Sequence, residues 1–308
     1  MPTRRHVISL TAAAAAAAVA AAAGLVPGRG QNKAQDRPRA VATFSILSDF
    51  VRNVGGERVE LATLVGPNGD VHVYEPTPGD VKTIATADIV FVNGLGLEGW
   101  IDRLIAASAT RAPVVVTSRG IRPRDGARSQ DYGVSDPHAW QSVVNAKLYV
   151  GNIRDGLIAV DATEKKNFEA NATAYLAKLD ALDGEIKTAI AAIPPARRKV
   201  ITAHSAFGYF GDAYGIEFIA PEGLSTEAEP SARAVTKLID QIRGEKIPAV
   251  FMENVADPRL LQRIAEETGT RIGGRLYSDA LSRPDGPAAT YIEMMRSNAR
   301  ELTNALTC

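Results

Sequence analysis

Beyond its first few dozen residues the chain keeps three of its four histidines, His72, His138 and His204. Each sits in a short, polar, turn-rich setting: Asp70-Val-His-Val-Tyr-Glu-Pro76, Asp136-Pro-His-Ala-Trp140 and Thr202-Ala-His-Ser-Ala-Phe207. Neutral imidazole offers a borderline-soft lone pair near neutral pH, which makes histidine the commonest protein ligand for a transition metal. A chain using histidine for ordinary surface or core duty would scatter it. Here it is confined to three loop-like positions, and the chemistry those positions could share is one metal site. Taken singly, each has a blander reading as a solvated or capping loop residue. Motifs that would be strong alone, HExxH or paired cysteines, are missing.

The elements that must position these residues alternate in type. Ala40–Phe44, Val59–Val65, Asp88–Val92 and Val114–Thr117 read as strands. Between them, helices are expected at Ser45–Val54, with Ser45 as cap and Gly55-Gly56 as stop, at Thr77–Ala85 behind an N1 proline, and near Leu97–Ala107. The second half repeats the scheme. Strands fall at Lys199–Thr202, Glu217–Ala220, Ala249–Met252 and Thr270–Ile272, with helices near Ser205–Ala213, Ser231–Arg243 and Pro258–Thr268. Strands alternating with helices mean βαβ units and parallel sheets, so the fold class is α/β with two Rossmann-like lobes. In such sheets ligands bind beyond the carboxyl ends of the strands. His72 and His138 belong to the first lobe and His204 to the second, which puts a shared metal in the cleft between them.

One segment breaks the alternation. Asp161-Ala-Thr-Glu164 resembles a capping box, and apolar residues recur at Phe168, Ala172, Tyr175, Leu179, Leu182, Ile186 and Ile190 before Pro194-Pro195. That spacing predicts one helix of about 30 residues, about 45 Å long, a rigid rod between the lobes. The expected organisation is a signal peptide and flexible segment over 1–35, a first α/β lobe over 36–160, the linker helix over 161–195 and a second lobe over 196–308.

Bulk composition excludes other classes. Of 308 residues 45% are hydrophobic, and Lys+Arg and Asp+Glu both number 35, so nothing attracts a nucleic acid. Arg4 and Arg5 ahead of an alanine-rich run from Leu10 to Val26 read as a signal peptide removed on export to the periplasm; twin-arginine and general secretory routes both fit. A retained membrane anchor is the alternative, disfavoured because alanine is weakly apolar. The single cysteine, Cys308, leaves no lipid-attachment cysteine after that run, no internal disulfide and no cysteine-based zinc site.

Four motifs, taken in order, resemble the ligand motifs of the cluster A-I substrate-binding proteins, which serve ABC importers of zinc and manganese. They are Asp70-Val-His72-Val-Tyr74-Glu75-Pro76-Thr77-Pro78, Asp136-Pro-His138-Ala-Trp140, Thr202-Ala-His204-Ser-Ala-Phe207-Gly-Tyr-Phe210 and Tyr277-Ser-Asp279-Ala-Leu281. The likeness runs from about Ala40 to Leu306. It implies two lobes joined by a rigid helix, one metal between them, and His72, His138, His204 and Asp279 as ligands. It also implies a monomeric, non-enzymatic receptor that works with an ABC permease.

Three imidazoles and one carboxylate make a four-coordinate N/O site that suits zinc as cargo. The manganese-selective branch of that family carries a carboxylate at the third position, so His204 points to the zinc branch, with manganese or mixed use as the alternative. Many zinc-binding members carry a histidine- and acid-rich loop before the second ligand. Here Ser118–Ser135 has four arginines and no histidine. The role of that loop is then absent or supplied by a periplasmic metallochaperone. A zinc hydrolase is the remote alternative, because Asp279 would close the coordination position that hydrolysis needs. Glu75 and Asp80 are candidates for orienting His72, and Glu222, Glu227 and Glu229 read as a solvated acidic face.

Overall fold

The structure, a computed structural model, describes residues 37–125 and 134–307. The proposed signal peptide, residues 126–133 of the arginine-rich loop and Cys308 lie outside the described residues. Two four-stranded, wholly parallel sheets form the frame. The first contains β1 (Arg39–Phe44), β2 (Glu60–Val65), β3 (Ile89–Val92) and β4 (Val114–Val116) in the order β2-β1-β3-β4. The second contains β5 (Lys199–Ile201), β6 (Glu217–Ile219), β7 (Ala249–Glu253) and β8 (Arg271–Leu276) in the order β6-β5-β7-β8. The two sheets thus repeat one topology. Central strands β3 and β7 are buried at every position, as parallel strands covered on both faces must be.

Crossover helices in the first lobe are α1 (Ser45–Gly55), α2 (Pro78–Ala85) and α3 (Ile101–Ser108). Thr77 and Asp80 close a capping box at α2, with proline at its first turn. Ser45 opens α1 without capping it. Its hydroxyl instead accepts from the amide of Leu281, 3.0 Å away in the other lobe.

Two helices stand between the sheets where one was expected. α4 (Val143–Val160) runs into a 3₁₀ turn at Ala162–Glu164, and α5 (Lys165–Ala191) follows and packs along it. Asp161 caps that 3₁₀ turn through the amide of Thr163, so the long helix begins later than its capping signal suggested. The buried residues of α5 are the seven apolar positions of its sequence stripe. At 27 residues it spans about 40 Å and links the lobes. In α4, Gly156 lies against the first sheet: a Cβ there would stand 3.1 Å from Phe91 and Val115 and 3.2 Å from Ile89.

The second lobe carries α6 (Gly208–Tyr214), α7 (Ala232–Glu245), α8 (Arg259–Thr268) and α9 (Tyr291–Leu306). Helix α9, absent from the sequence reading, starts at a Thr290–Glu293 capping box and packs on β8 and α5. A single apolar core runs from the first sheet through α4, α5 and α9 to Leu276 and Phe251 of the second. A smaller core lies under α7 and α8. The shared core makes the lobes one packed body, not two beads on a hinge.

Candidate metal centre

The four predicted residues meet at the carboxyl ends of the two sheets. His72 lies in the turn between β2 and α2, His138 in the loop after β4, His204 between β5 and α6, and Asp279 after β8. One ligand-type atom from each falls within 4.8 Å of all the others. His72 Nε2 is 3.2 Å from His138 Nε2 and 3.6 Å from Asp279 Oδ2. His204 Nε2 is 3.0 Å from Asp279 Oδ2, and His138 Nε2 is 3.5 Å from Asp279 Oδ1. The side chains of His138, His204 and Asp279 are 0% exposed and that of His72 only 4%, so an ion among them would be sealed from bulk water.

Each turn is fixed by a specific partner. Asp70 accepts from the amide of His72, and Trp100 Nε1 donates to the carbonyl of Val71. Asp136 accepts from the amide of His138 and lies 2.8 Å from its Nδ1, while Asn93, at the end of β3, donates to the carbonyl of Pro137. Glu253, at the end of β7, accepts from the amides of Ala203 and His204 and lies 2.7 Å from His204 Nδ1. A carboxylate on Nδ1 selects the tautomer that leaves Nε2 free to face the centre. The outward side of Asp136 is held by Arg124, which also pairs with Asp212 of the second lobe. Gly208 permits that approach, since a Cβ there would come within 2.6 Å of Asp136 Oδ2.

Sequence reasoning missed Asp136 as an orienting group. It gave Glu253 no role either. The candidates it offered for His72 do something else: Asp80 completes the α2 cap and accepts from Tyr74 Oη, and Glu75 is exposed. Glu227 and Glu229 are exposed as expected. Glu222 is half-buried and its carboxyl is pushed up to about 7 by burial, with Glu253, Glu229 and Asp70 adding to the rise and His204 opposing it.

Electrostatics mark the centre as a place that calls for a cation. Both oxygens of Asp279, both ring nitrogens of His204 and Oε2 of Glu253 are buried without a well-angled hydrogen bond among the described residues, and buried polar atoms are normally paired. Burial opposes charge on His204, yet Glu253 and Asp279 together outweigh it and hold that imidazole well above its usual range. Burial likewise works against the Asp279 carboxylate, but His204 and His138 keep it well below the usual carboxylate range. His72, with burial as its largest influence, is shifted down. The donor set fits a divalent metal: three nitrogens and one carboxylate converge without any of them being committed elsewhere.

A two-lobed α/β frame that closes three imidazoles and a carboxylate over one point defines a class, the metal-binding receptors of ABC importers. Within it, the chain belongs to the family described as zinc-uptake complex component A, periplasmic, whose model matches residues 40–305. It is 34% identical over 260 residues to the iron-binding protein YfeA of Yersinia pestis, covering 83% of this chain and 82% of that one. It is 33% identical over 269 residues to the manganese-binding lipoprotein MntA of Halalkalibacterium halodurans, covering 87% and 88%. The periplasmic zinc-binding protein TroA of Treponema pallidum superposes with a TM-score of 0.83 at 30% identity, covering 88% of this chain and 100% of that one. The family is one of receptors, not enzymes.

Proposed function

We propose that this chain captures zinc outside the cytoplasm, using His72, His138, His204 and Asp279 as its four ligands, and delivers it to an ABC permease. The observation that carries the reading is the convergence of four buried ligand atoms within 4.8 Å from four separate turns. Names among the relatives span iron, manganese and zinc, so membership alone does not choose the ion. The donor set favours zinc. Three imidazoles with one carboxylate match a tetrahedral zinc site, whereas manganese prefers more oxygen and a larger coordination number. A fourth protein ligand leaves no open position for an activated water, which argues for carriage over hydrolysis.

The test is calorimetric titration of chelator-treated protein with zinc and manganese. One tight zinc site per chain is expected, with zinc displacing manganese in competition. Two comparable sites, no site, or a preference for manganese would overturn the reading. At zinc about a thousand times its dissociation constant, the fold should gain about 4 kcal/mol over the metal-free form, seen as a raised melting temperature.

A further inference from the structure

Asp279 lies in the loop that follows β8 of the second lobe, yet much of its loop is fastened to the first. The carbonyl of Ser278, immediately before it, accepts from Trp140 Nε1 at 2.9 Å and from Gln141 Nε2 at 2.8 Å. Leu281, two residues beyond it, accepts from the amide of Asn68 and donates to Ser45 Oγ. Asp279 itself has no hydrogen bond to steer its carboxylate among the described residues. Its place is therefore set through the backbone.

Trp140 and Gln141 sit two and three residues after His138, in the same wholly buried turn. The Trp140 ring packs edge-on against the His138 imidazole, with centroids 5.3 Å apart, while its N–H holds Ser278. One indole thus touches a ligand of one lobe and the main chain beside a ligand of the other. Gln141 buries Oε1 with no hydrogen-bond partner among the described residues. Burying a lone amide oxygen costs stability, and turning the amide over would exchange that oxygen for loss of the donor to Ser278. A leucine would fill the space without that cost. A polar group held at such a cost next to the centre has its use in the bond it makes.

We propose that Trp140 and Gln141 are positioning residues that place Asp279 through the Ser278 carbonyl, so that the His138 turn carries the ligand contributed by the opposite lobe. This rests on the zinc-receptor reading above and concerns how that site keeps its fourth ligand in register. Two donors on one carbonyl back each other up. Losing either leaves Ser278 held, and losing both frees the Asp279 backbone. The energetic signature is therefore strong non-additivity.

The experiment compares Trp140→Phe, Gln141→Leu and the double variant in full-length protein. Phenylalanine keeps an aromatic ring against His138, and leucine keeps the volume of Gln141. Each single change should weaken zinc binding about threefold, and the pair about thirtyfold or more, beyond the product of the singles. Cobalt(II) serves as a spectroscopic probe. The double variant should lose the intense visible absorption of a tetrahedral site, while each single variant keeps it. Tyr175→Phe, which removes a buried hydrogen bond to Asp49, is the control. It should lower the melting temperature without changing zinc affinity or the cobalt spectrum. A double variant with wild-type affinity and spectrum, with or without a lower melting temperature, overturns the proposal. So do losses that simply multiply. If the double variant does not fold, the proposal stands or falls on the singles: each must lose affinity while keeping the tetrahedral cobalt band, and a single with wild-type affinity overturns it. A wild-type chain that binds neither zinc nor cobalt overturns the receptor reading instead.

Discussion

Glu253 Oε2 lies 2.7 Å from His204 Nδ1, and its other oxygen accepts from the amides of Ala203 and His204. One carboxylate thus fixes the backbone turn and lies against the ring of the third proposed ligand. Glu253→Gln keeps an oxygen for the amides but removes the charge that favours the Nδ1-protonated ring. Zinc affinity should fall about 10- to 100-fold, the usual cost of losing an outer partner of a metal-bound histidine. Asp136→Asn should do the same at His138. Competition against a zinc chelator reads both, and an unchanged affinity for either variant would show that its carboxylate does not orient the ring.

How much of this was legible from the chain depended on whether the signal was local. The seven-residue stripe of α5, Phe168 to Ile190, is periodic over about six turns and could be read directly. So could the strands, whose β-branched runs are short and bounded by turn residues. Helix α4 was hidden because Gly151, Gly156 and several valines weaken helix propensity in Val143–Val160; tertiary packing on the first sheet overrides that. Helix α9 was announced by Thr290 and Glu293, a capping pair that should have been found. The histidines stood out by scarcity. Asp279 looked like any turn aspartate, and only a family resemblance singled it out. Glu253 and Asp136 acquire their roles through separations of 49 residues and of two, and neither spacing is a motif.

Glycine placement in the connecting helices gives a stability test. Gly156→Ala adds helix propensity worth about 1 kcal/mol. It also drives a methyl to 3.1 Å from Phe91 and Val115. Phe91 is fully buried and sits on a central strand, so it has little room to give, and overpacking of this kind costs about 1–3 kcal/mol. The net effect should be a lower melting temperature. Gly151→Ala and Gly184→Ala, where nothing lies within 4 Å, should each raise stability by about 0.5–1 kcal/mol. Thermal unfolding of the three variants decides, and a stabilised Gly156→Ala would mean that the helix stands further from the sheet than its contacts imply.

Metal-free protein should lose stability with rising pH where zinc-bound protein does not. His204 is shifted up in the fold, with burial opposing and Glu253 and Asp279 prevailing. A raised folded-state value contributes stability that is fully present below the unfolded value of 6.5 and is lost as pH climbs through the folded one. Glu222, pushed up to about 7, acts in the same sense. Metal-free protein should therefore melt at lower temperature as pH rises from about 6.5 to 8.5. Zinc must displace the His204 proton, so its affinity should rise over the same interval, which offsets the loss in the metal-free fold and leaves the melting temperature of the loaded protein nearly level. His204→Gln should flatten the metal-free slope. Calorimetry at matched ionic strength gives both slopes, and parallel behaviour of the two forms would refute the assignment of that proton to His204.

Selectivity turns on the same residue. His204→Glu converts three nitrogens and one oxygen into two of each at a wholly buried position. Imidazole suits zinc, while a second carboxylate supplies harder donors and admits a higher coordination number. Zinc should weaken more than manganese, narrowing the ratio of their affinities. The new carboxylate also faces Glu253 at close range, so part of its benefit to manganese depends on the ion being present to separate the two charges. His204→Ala removes a donor outright and should weaken both ions by about a hundredfold or more, beyond the loss of an outer partner. Thr188→Ala, on the exposed side of α5, is the control and should change neither. Competition titrations with both ions measure the ratio. A glutamate variant that keeps the wild-type zinc preference would mean that His204 is not a ligand, and the choice of zinc over manganese would lose its chief support.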